Sequence, residues 1–153
     1  MTGIRNVLDK RRESGEDCKL KYRVIKENDL FLLTDASGDI PPGSTDGCGL
    51  YTRDTRFLSR FELFINGVKP ILLESSAEAN CQAAFRLTNP HMEEDGRVKL
   101  WRESVEIARH RFIHDGVLYE SIAYTNYNPK AVAFETSLAF EADFADMFIV
   151  RGF

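Results

Sequence analysis

The sequence predicts an all-β protein, an antiparallel β-sandwich, on three observations. Two turn signals, Asn66-Gly67 and Asp115-Gly116, each stand between stretches in which apolar and polar residues alternate. Further short alternating stretches are bounded by clusters of Gly, Pro, Asn and Asp. No stretch carries a convincing long amphipathic helical period, so the sheets must find their apolar cover in one another.

The elements follow in order. Residues 1–19 hold Arg5, Lys10, Arg11, Arg12, Glu13, Glu16 and Asp17 with few large apolar side chains, and a mobile charged tail or short surface helix is expected there. The domain is placed at residues 20–153. "LKYRVI" and "DLFLLTD" read as two strands, and "ASGDIPPGSTDGCG" as a long turn. In "FLSRFELFINGVKPILL", Phe57, Phe61, Leu63 and Ile65 are expected on one face. A two-residue type I′ loop at Asn66-Gly67 then pairs Ile65 with Val68, Leu63 with Pro70 and Phe61 with Leu72. Pro70 cannot donate to a ladder, which points to an edge or a non-bonded position.

The second hairpin joins "SVEIARHRFIH" to "VLYESIAYTNY" through Asp115-Gly116. Its register pairs Ile113 with Leu118, Phe112 with Tyr119, Arg111 with Glu120 and Ile107 with Tyr124. "NYNPKA" turns the chain into "VAFETSLAFEA", a half-buried strand with Val132, Phe134, Leu138 and Phe140 inward and Glu135, Ser137 and Glu141 outward.

Composition bounds the function. A chain of 153 residues fits one domain, large enough to bury about 70% of its unfolded surface. A net charge of −4 and a pI near 5.4 argue against a phosphate-binding surface, so no nucleic-acid partner is expected. No apolar run is long enough to span a bilayer and the N-terminus lacks the apolar core of a signal peptide, which predicts no membrane partner and a cytoplasmic location. Cys18, Cys48 and Cys81 are odd in number and widely spaced, a pattern of reduced thiols rather than a disulfide frame or zinc site.

Four constellations could carry chemistry. His110 and His114 have a helical metal-chelating spacing, but on a strand they lie about 13 Å apart, too far to share an ion. No metal site and no cofactor is expected. "GSTDGCG" lacks the Gly-Lys-Ser/Thr ending of a phosphate loop, and no serine or cysteine has a nucleophile's flanks. "EADFADMFIVRG" sets Glu141, Asp143 and Asp146 beside Phe144, Met147 and Phe148; such carboxylates could serve a sugar or simply cap and turn the backbone. "YTRDTRFLSR" concentrates Arg53, Asp54, Arg56 and Arg60.

Three stretches, "DLFLLTDASGDIPPG", "GLYTRDTRFLSRFELFINGVKPILLESS" and "FEADFADMFIVRG", resemble in the same order the N-terminal domain of bacterial glycogen debranching enzymes of the amylo-α-1,6-glucosidase type. The resemblance runs from Asp29 to Gly152. It implies a supersandwich-like β domain that lacks its last strands, preceding a helical (α/α)6 toroid whose carboxylates hydrolyse α-1,6 branches in glycogen or limit dextrin. It assigns no catalytic residue to this chain. Arg53, Asp54 and Arg56 are expected to form an ion-pair set at the sandwich rim, and with Asp143, Asp146 and Arg151 they are the candidates for interdomain or sugar contact. The expected partners are the toroid and an α-glucan. The alternative, a free-standing carbohydrate-binding module, needs an exposed aromatic platform, for which Tyr51, Trp101, Tyr119, Tyr124 and Tyr127 are available.

Overall fold

A computed structural model describes residues 21–43 and 46–152; the expected charged tail and Cys18 lie outside them. Among the described residues, thirteen strands are followed by one helical turn. They are β1 (Tyr22–Glu27), β2 (Leu30–Asp35), β3 (Gly49–Thr52), β4 (Thr55–Leu58), β5 (Arg60–Ile65), β6 (Ile71–Ala79) and β7 (Gln82–Thr88). Then come β8 (Met92–Glu94), β9 (Arg97–Leu100), β10 (Val105–His114), β11 (Val117–Asn126), β12 (Thr136–Glu141), β13 (Ala145–Asp146) and the turn α1 (Met147–Val150). The pairings are antiparallel, in a five-stranded sheet β1-β2-β3-β4-β13, a four-stranded sheet β11-β10-β7-β6, and the pairs β12-β5 and β8-β9. The fold is the predicted all-β sandwich.

The four-stranded sheet is the common wall. Ala83 and Phe85 of β7 and Ile113 of β10 pack with Ile25 of β1, Leu32 of β2, Ile40, Cys48 and Phe61 in one buried cluster. Farther along the same wall, Leu87, Val105 and Ile107 pack with Leu63 and Ile65 of β5 and with Leu100 in a second. Strand β10 explains the division. Its inward side chains, two residues apart on one face, run Val105, Ile107, Arg109, Arg111, Ile113, and all five are buried. Two arginines therefore lie between the two apolar clusters.

The Asp115-Gly116 hairpin has the predicted register, including Ile113 with Leu118, Arg111 with Glu120 and Ile107 with Tyr124. Both turn residues take positive φ, 51° and 74°, as a type I′ loop requires. Three other expectations are corrected. "FLSRFELFI" is two strands, because the chain bends at Ser59 and passes from the five-stranded sheet to the β5-β12 pair, as strands do at sandwich corners. Phe57 consequently does not share the buried face of Phe61.

The Asn66-Gly67 loop forms, with φ of 47° and 74° and an Ile65–Val68 bridge. The expected pairs Leu63–Pro70 and Phe61–Leu72 do not. Pro70 ends the ladder, β5 pairs with β12, and β6 leaves to pair with β7. Finally, Leu138 and Phe140 do lie opposite the core residues Leu63 and Phe61, yet they are 40% and 55% exposed. Strand β12 is the outer strand of its pair among the described residues, so half of each side chain faces out. Val132 and Phe134 precede the strand and pack on the second cluster.

Candidate functional site

The rim site begins with a hairpin. Thr52 pairs with Thr55, so Arg53 and Asp54 form a two-residue loop and take φ of 48° and 62°. These are type I′ angles adopted without a glycine, and they point to the loop's shape as the use of the pair. The expected ion-pair set is not what the structure builds: among the described residues Arg53 and Asp54 make no side-chain ion pair, and Arg56 reaches Asp143 instead. Arg56 Nε donates to both Asp143 oxygens at 3.2 Å, Nη2 donates to Oδ2, and Nη1 donates to the Cys48 carbonyl at 3.3 Å. A guanidinium fork of this kind fixes direction as well as distance.

Gly49 makes room for it. A Cβ at that position would lie 2.5 Å from Arg56 Cδ and 2.9 Å from the Leu58 carbonyl. The Arg56 partner holds the Asp143 carboxyl below its ordinary range, and this part of the pair's attraction, complete above the ordinary carboxylate pKa, is lost as pH falls through the lowered one. Only solvent-screened stabilisation is expected from so exposed a pair; its effect is positional.

The rest of the segment is held by backbone. Ala145 and Asp146 pair with Arg56 and Thr55, and Met147 N–H donates to the Asp54 carbonyl at 2.8 Å. Asp146 caps α1 by accepting from Phe148 N–H at 2.8 Å, and the Arg151 amide closes the turn on the Met147 carbonyl at 3.1 Å. The capping and turning role of these aspartates is thus observed. Glu141 binds Arg60 at 2.9 Å, so the third acid of the segment is also engaged. Phe144 stands edge-on to Phe57 with ring centroids 5.6 Å apart. Phe144, Phe148 and Ile149 are all more than half exposed.

The aromatic candidates do not gather into one platform. Tyr51 is buried, stacked on Phe31 at 4.8 Å with its hydroxyl donating to the Gly47 carbonyl. Tyr119 and Tyr124 point to opposite faces of β11, being an odd number of residues apart. Trp101 lies against His91 just after β9, and Tyr127 just after β11. His110 and His114 both sit on β10, as the strand reading requires.

A second constellation was not anticipated. Glu120 accepts Arg109 Nε at 2.7 Å and Arg111 Nε at 2.9 Å. Arg109 Nη1 donates to Asp39 at 2.7 Å, and Arg111 Nη1 to the Gly38 carbonyl. Lys69 bridges Asp39 and Glu62 at 2.6 and 2.7 Å, and Arg60 joins Glu62 at 2.5 Å. Burial, then the neighbouring Arg109, pulls Arg111 down to about 10, so it stays charged at neutral pH. Beneath the guanidinium groups lies the Phe61 ring, 4.6 Å from Arg111 and 5.6 Å from Arg109. The alternation Val105-Ile107-Arg109-Arg111-Ile113 was the available signal, because it sets both arginines on the apolar face.

Asp35 borders this network and accepts the Ser37 and Asp39 amides on Oδ1, each at 2.9 Å. Burial raises its pKa. A raised folded-state pKa favours folding below the ordinary carboxylate range and that contribution is lost as pH rises through the raised value. Asp35→Asn, which keeps the accepting oxygen, should therefore stabilise the protein at pH 7 relative to wild type. Denaturation midpoints should show this gain vanish below the ordinary Asp pKa, about 3.9.

The family model for the N-terminal domain of (some) glycogen debranching enzymes matches residues 25–153. The chain belongs to this family. The match covers all thirteen strands except the first three residues of β1, so the debranching-enzyme N-terminal domain includes both the rim segment and the buried charge network. No curated protein and no solved structure matches the chain.

Proposed function

We propose that this chain is a non-catalytic accessory domain of a cytoplasmic glycogen-debranching α-1,6-glucosidase, and that its rim docks against a helical (α/α)6 domain that performs the hydrolysis. The observation that carries the reading is the apolar rim of Phe57, Phe144, Phe148 and Ile149, exposed yet fixed by the Arg56–Asp143 fork and the Asp54–Met147 backbone bond. Exposed aromatic and aliphatic side chains held in one geometry form a low-entropy contact surface. The carboxylates of the same segment are occupied by Arg60, Arg56 and the α1 cap, which supports a positioning rather than an acid–base role. An α-glucan chain is then the substrate of the assembled enzyme.

Supplying the parent enzyme's helical domain in trans tests this. Wild-type chain should form a one-to-one complex by calorimetry, and the double substitution Phe144→Ser with Phe148→Ser should weaken it at least about tenfold, the loss expected for removing interface anchors. Tyr119→Ser, on the four-stranded sheet, should leave it unchanged. Equal binding by all three chains, or none by the wild type, would remove the docking role.

A further inference from the structure

A cavity of about 220 Å³ opens beside the charge network, bordered by Asp35, Ser37, Asp39, Glu62, Lys69 and Arg109. Its unused hydrogen-bonding capacity is specific. Arg109 is 1% exposed, and its Nη2 has no hydrogen-bond partner. Lys69 gives two of its three N–H groups to Asp39 and Glu62 and is 43% exposed at the mouth. Among the described residues, Asp35 Oδ2 and the Ser37 hydroxyl have no protein partner. Pro41, Leu63, Pro70 and Leu87 complete the wall with apolar surface.

Charge narrows the ligand. An anion would meet three carboxylates, from Asp35, Asp39 and Glu62; a cation would meet the spare N–H groups of Lys69 and Arg109. A hydroxyl can accept from Lys69 at the mouth and donate to Asp35, while ring carbons lie on the apolar wall. The volume falls below the roughly 300–1,000 Å³ typical of larger ligand pockets, which suits one ring. We propose that this cavity is a binding site for a neutral polyhydroxylated molecule the size of a single sugar ring.

The site stands on this chain's own residues and is separate from the docking rim. Backbone NMR titration of the full chain with glucose, maltose, gluconate and glucosamine is the test. Glucose should give saturable shifts at the amides of Ser37, Asp39, Leu63 and Lys69, with a dissociation constant on the order of a millimolar. Saturation by maltose at the same amides would mean that a glucan chain end is accepted; saturation by glucose alone would mean a free sugar. Both support the site. Ser37→Ala, and independently Lys69→Met, should weaken glucose at least about fivefold with the amide spectrum otherwise retained. Absence of saturable shifts with either sugar, equal binding of gluconate or glucosamine, or unchanged affinity in both variants would overturn the proposal. Capture of the helical domain is a separate readout, so failure of either idea leaves the other measurable.

Discussion

Glu120→Ala should cost about 3–5 kcal/mol of folding stability, the range for removing one partner from a buried ion pair. Glu120 is the shared acceptor of Arg109 and Arg111, whose side chains are both 0% exposed. Without it, two guanidinium groups remain in the interior with Asp39 as the nearest acid. The loss should appear in urea as a lower midpoint or as failure to fold. A compensated variant separates charge from shape: Glu120→Leu with Arg109→Met and Arg111→Leu should recover most of the stability, because apolar side chains of similar volume often replace buried ion sets without loss. If Glu120→Ala is neutral, the network does not hold the sheets together.

Phe61→Ala should cost a similar amount, about 3–5 kcal/mol for a buried phenylalanine. The ring is 5% exposed, stacks on Phe140 at 4.7 Å and lies under both arginines. Its backbone, bonded to Ile40 in both directions at 2.8 and 2.9 Å, stays in place. Phe61→Leu separates two causes. It keeps most of the apolar volume and removes the π face, so any loss beyond a conservative core exchange, up to about 2 kcal/mol, measures the cation–π part. Equal stability of Phe61→Leu and wild type in equilibrium denaturation would assign no weight to the arginine contacts.

Local turn chemistry made much of this fold legible. Asp115-Gly116 fixed a hairpin whose pairs all hold, because both strands remain in one sheet for ten residues each. Asn66-Gly67 gave the right turn and the wrong continuation: turn residues set the bridge next to them, while Pro70 and the bend at Ser59 send the flanking chain to other sheets. The site was less legible. Arg56 finds Asp143 across 87 positions of sequence, a contact that only the β4-β13 pairing creates. The alternation of β10 sets both buried arginines on the apolar face, but nothing local announces that Asp39, Glu62 and Lys69 will meet them. The charges of Arg53 and Asp54 suggest an ion pair, whereas their positive φ makes them a turn.

The family places this domain with debranching enzymes, and the proposed division of labour places the hydrolysis in the helical domain. Release of glucose from α-1,6-branched limit dextrin should therefore be absent with this chain alone and appear when the helical domain is added, falling with Phe144→Ser and Phe148→Ser in step with binding. Turnover by the chain alone, abolished by Asp143→Asn with the fold intact, would contradict the account.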